Sequence, residues 1–454
     1  MESVNPTTEE TIDSYAEYTD GEVETALEEA DRAFADWSQT EIRERQQLLA
    51  NAAEILRNNK QEYAELITRE MGKPVSQAVA EVEKCAWGCE FYAERAIELL
   101  QNEVIGTVPE AKAYVRYEPL GVVLAVMPWN YPFWQAFRFA APTLAAGNVG
   151  VLKHASNVPG CALAIEEVFE KAGFPESAFS SLLIGSSKVD DVITNSRVRA
   201  VTVTGSEFAG KAVAETAGRE LKKTVLELGG SDPFVVLEDA PLESAVETAV
   251  TARNQNSGQS CIAAKRFVVV DEVYDEFTDR FVEGVRELEV GDPLDESTDV
   301  GPQARAGLME ELHEQVEQSR EAGATVVTGG KPLEGDGHFY PPTVLTDVPR
   351  DCPAASEETF GPVAAVIRAD DAEEAIEIAN RTRYGLGGSV WTEDLERGER
   401  LAGRIEAGCV FVNEIVKSDP RVPFGGIKDS GYGRELSQQG IHEFVNEKTV
   451  WVQE

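Results

Sequence analysis

Cys261 sits in Gly258-Gln259-Ser260-Cys261-Ile262, a thiol among small and polar residues rather than in an apolar stripe. Reactive groups favour such loops on rigid scaffolds. Glu227 ends an apolar run directly before Leu228-Gly229-Gly230, and burial there would raise its pKa toward that of a useful general base. Asn130 lies in Pro128-Trp129-Asn130-Tyr131-Pro132, where an amide held between prolines could donate to a developing oxyanion. Gly205-Ser206-Glu207-Phe208-Ala209-Gly210-Lys211 follows an apolar strand pattern and opens a helix, a setting in which backbone N–H groups face an anion. It fails as a Walker A loop at Ala212, which cannot ligate Mg²⁺, and Glu207 breaks the G-x-G-x-x-G pattern. Taken singly, each segment also reads as ordinary structure: a small loop cysteine, a surface glutamate at a strand end, a turn, a glycine bend. His occurs only at 154, 313, 338 and 442, which leaves little material for a Cys–His or Ser–His–Asp hydrolase. No metal site is expected, and Cys85 and Cys89, at i, i+4 spacing in an Ala/Trp/Tyr-rich segment, read as core packing.

The elements that must position these groups follow from periodicity. Three- and four-residue apolar spacing predicts helices over 23–37, 42–58, 61–71 and 75–100. Alternation and apolar runs predict strands at 113–118 and 121–127. From 149 the pattern becomes strand–helix repetition, with strands at 149–153, 181–184, 200–204 and 224–228. It restarts with strands at 234–237, 267–270, 325–328, 363–368, 388–391 and 409–413, and a lone strand at 448–453 must find a partner elsewhere. Such alternation implies parallel sheets flanked by helices, an α/β chain of two lobes in series with a small extra strand element.

Composition limits the partners. The 454 residues carry 81 Asp plus Glu against 41 Lys plus Arg, of which 15 are Lys, for a net charge of −40. A surface that negative repels phosphate backbones and anionic lipid, so nucleic-acid and membrane roles are not expected. With 42% hydrophobic residues the chain is globular, and its acidity is that of an acidic enzyme or of a halophile's protein. At ~1 M salt the Debye length is only about 3 Å and self-repulsion is screened. The halophile reading is the one adopted. The acidic start Met1-Glu2-Ser3-Val4-Asn5-Pro6 predicts no signal peptide, and six Cys predict free thiols in a reducing cytoplasm.

The set of motifs, more than any member, identifies a relationship. Pro128-Trp129-Asn130, Lys153, Thr204-Gly205-Ser206, Glu227-Leu228-Gly229-Gly230, Gly258-Gln259-Ser260-Cys261, Glu358-Thr359-Phe360-Gly361-Pro362, Pro423-Phe424-Gly425-Gly426-Ile427-Lys428 and Ser430-Gly431-Tyr432-Gly433-Arg434-Glu435 occur in that order. The chain thereby resembles the aldehyde dehydrogenase superfamily over essentially its whole length. The resemblance implies two doubly wound α/β lobes: a dinucleotide-binding domain at 1–106 and 125–228, and a catalytic domain at 229–423. Oligomerisation strands are implied at 107–124 and 436–454, with a homodimer or homotetramer. It implies that Cys261 attacks the aldehyde, that Asn130 and the Cys261 N–H hold the oxyanion, and that Glu227 activates the water that hydrolyses the thioester. Around the cofactor it implies Glu358 and Phe360 at the nicotinamide ribose and Lys153 at the adenosine ribose. Trp129 and Ser206, within Thr204-Gly205-Ser206, would lie near the pyrophosphate.

Two positions refine this. Ser156, three residues after Lys153, stands where NAD-preferring relatives often carry Glu; a hydroxyl can donate to a 2′-phosphate that a carboxylate would repel, so NADP is favoured over NAD. Arg138, eight residues beyond Asn130, resembles the succinate-semialdehyde dehydrogenases of the superfamily and could hold a carboxylate bidentately, with Trp134 as a wall and Ser418 adding a hydroxyl. The structural alternative for Arg138 is an ion pair on its own helix. Ala263 excludes the redox lid that a second Cys gives some relatives. The expected reaction is oxidation of succinate semialdehyde to succinate. Alternatives are the same chemistry on glutarate semialdehyde or an aliphatic aldehyde, or a non-catalytic dinucleotide-binding protein.

Overall fold

The computed structural model describes residues 1–106 and 111–453. A hairpin of β1 (Glu2–Val4) and β2 (Thr11–Ser14) precedes four helices, α1 (Asp20–Trp37), α2 (Ile42–Asn58), α3 (Lys60–Met71) and α4 (Val75–Leu99). β3 (Glu103–Val104) and β4 (Ala111–Pro119) follow. The chain then alternates through β5 (Val122–Met127), α5 (Pro132–Ala146), β6 (Val149–His154), α6 (Pro159–Ala172), β7 (Phe179–Ser181) and α7 (Val189–Thr194). This part closes with β8 (Val198–Thr204), α8 (Glu207–Arg219) and β9 (Lys223–Glu227).

A second series follows: β10 (Asp232–Val236), α9 (Leu242–Asn254), β11 (Ala264–Val270), α10 (Asp271–Arg286), α11 (Ala306–Ala322), β12 (Thr325–Thr328) and β13 (Thr343–Thr346). It continues with α12 (Pro353–Ser356), β14 (Val363–Ala369), α13 (Ala372–Asn380), β15 (Gly387–Trp391), α14 (Leu395–Ala402) and β16 (Cys409–Val412). The chain ends with β17 (Gly431–Tyr432), α15 (Ser437–Glu443) and β18 (Val445–Gln453).

These strands build one sheet in the order β17-β9-β8-β5-β6-β7 and another in the order β12-β13-β14-β11-β10-β15-β16. Pairing is parallel except for β17 and β12. The expected α/β class with two doubly wound sheets therefore holds. In the first sheet β5 has β6 on one side and β8 on the other, so the chain leaves these neighbours in opposite directions. That reversal opens a crevice at the carboxyl ends of β5 and β8, where ligands bind in doubly wound sheets. Asn130 and Ser206 follow those two strands directly.

Two helices that frame the crevice share an unusual start. α5 and α6 begin with Pro132 and Pro159, and neither has a capping side chain of its own. Buried carboxylates from elsewhere supply the acceptors. Glu81 of α4 accepts the N–H groups of Phe133 and Trp134, both at 2.9 Å, and Glu70 of α3 accepts those of Gly160 and Cys161 at 3.0 and 2.8 Å. Glu81 is in turn paired with the fully buried Lys73, whose ammonium lies 3.7 Å from the centre of the Tyr131 ring. The helical hairpin α3–α4 thus fixes where the segment carrying Asn130 begins.

Some expectations shift. The strand predicted at 181–184 ends at Ser181, because Ser181 Oγ donates to Ala162 O and its N–H to Glu166, turning the chain. β1, β2, β3, β13 and β17 are not foreseen by the sequence pattern. The C-terminal strand is longer than expected and finds its partner in its own chain: β18 pairs antiparallel with β4 from Val445↔Pro119 to Gln453↔Ala111. Part of the expected oligomerisation strand, 107–110, and residue 454 lie outside the described residues. Among the described residues no helix is long and apolar enough to cross a membrane.

Candidate active site

The loop that carries Cys261 is held in a costly backbone conformation. After α9 the chain passes through Asn256, Ser257 and Gly258 at φ of 57°, 54° and 71°. Left-handed non-glycine residues cost of order 1–3 kcal/mol and persist where surroundings over-determine them. Here the surroundings do so. Asn256 Nδ2 donates to Asn130 O at 2.8 Å and Gln259 O at 3.0 Å, and its N–H to Gln77 Oε1 at 2.7 Å. Buried Arg253 donates to Gly258 O at 2.6 Å and Ala264 O at 3.1 Å. A side chain at Gly258 would overlap the Gly361 carbonyl, so the position needs glycine for space as well as for φ.

Cys261 lines a cavity of about 280 Å³ together with Tyr131, Trp134, Arg138, Ser418 and Phe424. Burial pushes its thiol up to about 12, against the pull of the Lys265 and Arg138 charges. The thiol is therefore protonated at rest. Lys265 Nζ donates to the carbonyls of Ser260 (2.9 Å) and Cys261 (2.6 Å), which fixes both peptide planes. The Cys261 N–H has no acceptor among the described residues. Asn130 is buried beside this loop, with Nδ2 donating to Gln259 O at 3.0 Å. The Cys261 loop thus has one free backbone donor at Cys261 itself and one amide donor, Asn130 Nδ2, resting on its Gln259 carbonyl.

Glu227, the last residue of β9, is buried with both carboxylate oxygens unpartnered. Burial raises its pKa well above the carboxylate range and Glu435 adds to this, while Arg138 and Arg434 oppose. Gly425 passes so close that a Cβ there would meet Glu227 Oε1 at 2.6 Å. Burial thus favours the protonated form, and the group becomes a strong acceptor once ionised.

The expected cofactor residues divide between two places. Ser206 caps α8, its Oγ accepting the Ala209 N–H at 3.3 Å, and opens a cleft of about 690 Å³ that Lys211, Gly229, Glu358, Arg383 and Tyr384 also line. Glu358 accepts the Gly230 N–H at 2.9 Å and lies 3.5 Å from Lys265 Nζ. Phe360 packs edge-on against Trp129, ring centres 5.8 Å apart. Lys153 and Ser156 lie instead at the carboxyl end of β6. Among the described residues the Lys153 ammonium has no hydrogen bond or ion pair; burial lowers its pKa and Glu17 opposes weakly. A buried ammonium with no ion pair, three residues before an exposed serine, fits a dinucleotide carrying an extra phosphate. Thr204, expected with this group, has a hydroxyl that accepts from Arg138 Nη2 at 3.4 Å.

Arg138 differs from its expected geometry. Its Nε is paired with Glu435, Nη2 points at Thr204, and the guanidinium lies 4.9 Å from the Phe424 ring centre. The edge formed by Nε and Nη2 is thus engaged by protein. The ion pair foreseen as an alternative exists, with a partner just ahead of α15 instead of on the same helix. Trp134 Nε1 donates to Ser418 Oγ at 2.8 Å, which brings two expected substrate residues together.

Several site residues were not anticipated. Lys84 of α4 also donates to Ser418 Oγ, at 3.0 Å, and lies 4.7 Å from the Trp134 ring centre. Burial, then the nearby Arg138 charge, bring its ammonium down to about 8. Gln77, Ala80, Glu81 and Lys84, at helical spacing, form one cavity-facing stripe of α4; a stripe of mixed polarity on an amphipathic helix gives no local sign of a site. Glu435, Lys265 and Glu81 carried no local signal.

The profile of the aldehyde dehydrogenase family matches residues 1–450. A probable NADP⁺ succinate-semialdehyde dehydrogenase from Synechocystis is 52% identical over 450 residues, 99% of each chain. A succinate-semialdehyde dehydrogenase [NADP(+)] from Mycobacterium avium is 52% identical over 453 residues, 99% of this chain and 96% of that one. Among solved structures, the succinic semialdehyde dehydrogenase from Streptococcus pyogenes in complex with NADP⁺ superposes with a TM-score of 0.98 at 38% identity, covering 100% of both chains.

Proposed function

This chain belongs to the aldehyde dehydrogenase family, an NAD(P)-dependent group of enzymes, and from that premise we propose that it oxidises succinate semialdehyde to succinate with NADP⁺. The observation that carries the substrate is the cavity at Cys261, small enough for a four-carbon aldehyde and lined by the cations Lys84 and Arg138. The unpaired Lys153 beside Ser156 carries the cofactor preference.

In this mechanism Cys261 Sγ bonds to the aldehyde carbon as the thiol proton passes to a water molecule in the cavity. The carbonyl oxygen becomes an oxyanion that the Cys261 N–H and Asn130 Nδ2 hold, the amide exchanging its loop carbonyl for a charged acceptor. NADP⁺, when bound, supplies the acceptor for the substrate hydride. Glu358 and Phe360 hold the nicotinamide end; Trp129, Gly205 and Ser206 hold the pyrophosphate, and Lys153 and Ser156 the 2′-phosphate. Glu227 takes a proton from the water that attacks the acyl carbon, and the C–S bond breaks to release the acid. Cavity closure by Trp134, Arg138 and Ser418 excludes bulkier aldehydes.

In this reading 1–106 with 125–228 binds the dinucleotide, 229–423 carries the nucleophile, and 107–124 with 436–454 joins copies into a dimer or tetramer. The exposed Trp451 and Val452 on the open edge of β18 support that association, and six free cysteines support a reducing cytoplasm. The test is a panel of succinate semialdehyde, glutarate semialdehyde and butyraldehyde with both cofactors, read as reduced-nicotinamide absorbance. Highest kcat/KM for succinate semialdehyde with NADP⁺, and none for Cys261→Ala, is expected. An active Cys261→Ala enzyme would remove the nucleophile assignment; equal efficiency on butyraldehyde would remove the substrate.

A further inference from the structure

The cavity that Cys261 lines also contains a charge that the protein does not neutralise. Lys84 is part-buried and makes no ion pair among the described residues. The carboxylates near it are engaged elsewhere. Glu81, one turn earlier on α4, is paired with Lys73 and accepts two N–H groups of α5. Glu83 is held by Arg57 and Lys60, and Asp419 by Arg421. Arg138, the other cation of the cavity, has Glu435. A cation left inside a protein without a counter-ion costs free energy, and an anion arriving in the cavity relieves that cost.

Ser418 shows where such an anion would sit. Its Oγ accepts two hydrogen bonds, from Trp134 Nε1 at 2.8 Å and Lys84 Nζ at 3.0 Å. Both acceptor positions of a hydroxyl are then filled, so its own proton can only be donated. Among the described residues that proton has no acceptor. Lys84 retains two further N–H donors, since an ammonium has three. One edge of the cavity thus presents an ammonium and a polarised hydroxyl, which matches the two oxygens of a carboxylate.

We propose that Lys84 adds a charge-assisted contact to the substrate's carboxylate beside the Ser418 hydroxyl and the Arg138 guanidinium, whose Nη1 has no partner among the described residues. The inference rests on the cavity being a semialdehyde site and names the residue that confers the preference for an ω-carboxylate.

The experiment measures kcat and KM on succinate semialdehyde and on butyraldehyde for wild type, Lys84→Met and Lys84→Arg. The ratio of kcat/KM for the acid over the neutral aldehyde is expected to fall about 10- to 100-fold in Lys84→Met, through the loss of one charge-assisted interaction, and mainly in KM. Lys84→Arg is expected to recover part of the ratio. Succinate, as a competitive inhibitor, should weaken in parallel with KM. A structural role would instead lower both substrates together and leave the ratio in place. If wild type strongly prefers the semialdehyde and Lys84→Met keeps that preference, the Lys84 assignment is overturned while the substrate reading stands. If wild type does not distinguish the two aldehydes, the substrate reading itself fails and the Lys84 assignment with it.

Discussion

His154 makes the protein sensitive to acid in a way that can be worked out and measured. It is the last residue of β6, buried between the Lys153 backbone and the start of α5. Its Nε2 lies 2.9 Å from Pro132 O, and its Nδ1 accepts the Ala155 N–H at 2.9 Å. One ring nitrogen faces an acceptor and the other a donor, so only the neutral Nε2–H form satisfies both. Burial, the larger cause, holds the imidazole down to about 4 from an ordinary 6.5. The sign follows. Below pH 6.5 the unfolded chain takes up a proton that the folded protein refuses, so stability from this group is complete above pH 6.5 and is lost as pH falls toward 4. At ~1.36 kcal/mol per pH unit the total is about 3 kcal/mol.

The whole-protein curve does not isolate this contribution. Burial raises Asp232 to about 6, and that group works in the opposite direction, its stabilisation present in acid and lost as pH rises from 3.8 through about 6. The assay is therefore a difference: denaturant unfolding of wild type and His154→Gln at pH 7.5, 6, 5 and 4.5 in constant high KCl. Gln can still donate to Pro132 O but does not titrate. Asp232 lies on β10 in the other sheet, so its contribution cancels in the difference. The advantage of wild type over His154→Gln is expected to shrink by more than 2 kcal/mol between pH 7.5 and 4.5. A difference that stays constant to within ~0.5 kcal/mol would refute the assignment of a neutral buried imidazole.

Glu227 sets a second pH dependence. Its raised pKa makes it an acid at low pH, so thioester hydrolysis should slow as pH falls; stopped-flow traces should then show a reduced-cofactor burst that is absent at alkaline pH, and a burst independent of pH would contradict the role. Glu81→Gln leaves Lys73 buried without its partner and should cost about 3–5 kcal/mol in unfolding experiments, with kcat falling because α5 loses its charged cap. Lys73→Met added to Glu81→Gln should restore much of that stability, and a double variant weaker than the single would show that the pair is not the cause. Activity and stability should both rise from dilute buffer toward molar KCl, because the −40 charge is self-repulsive at low salt; full activity after dialysis into dilute buffer would end the halophile reading.

The candidate site was legible where a residue type was out of place locally. A thiol in a Gly/Ser/Gln loop, a carboxylate closing an apolar strand and an amide between prolines each conflict with simple packing, and all three fall at strand ends or loops beside the cavity. Lys84 does not conflict with its surroundings in sequence. A lysine on an amphipathic helix reads as solvated, and only the packing of α4 against α5 turns that stripe inward. Arg138 was recognised but its partner was not, since Glu435 is remote in the chain and reaches Arg138 only through the antiparallel bridge that joins Phe424 to Glu435. The β4–β18 ladder was hidden for the same reason: two alternating strands reveal their own existence, and their pairing is a property of the folded topology.

The charge distribution sharpens what those remote contacts do. Acidic side chains dominate the surface, yet three fully buried cations, Arg253, Lys265 and Arg266, gather around the loop that carries Cys261. Arg253 holds Gly258 O and Ala264 O, Lys265 holds Ser260 O and Cys261 O, and Arg266 holds Ser231 O, Ile378 O and Ala379 O. Each binds backbone carbonyls more than carboxylates, so their role is orientation. With the carbonyls of 258, 260 and 261 turned toward these cations, the Cys261 N–H is left without a protein acceptor beside the thiol. Burial keeps these contacts out of reach of solvent ions, whereas the surface repulsion is screened by them. Salt should therefore act on the stability of the folded chain and on the capture of anionic ligands, while the arrangement of donors around Cys261, set by interior cations, stays the same at any ionic strength at which the protein is folded.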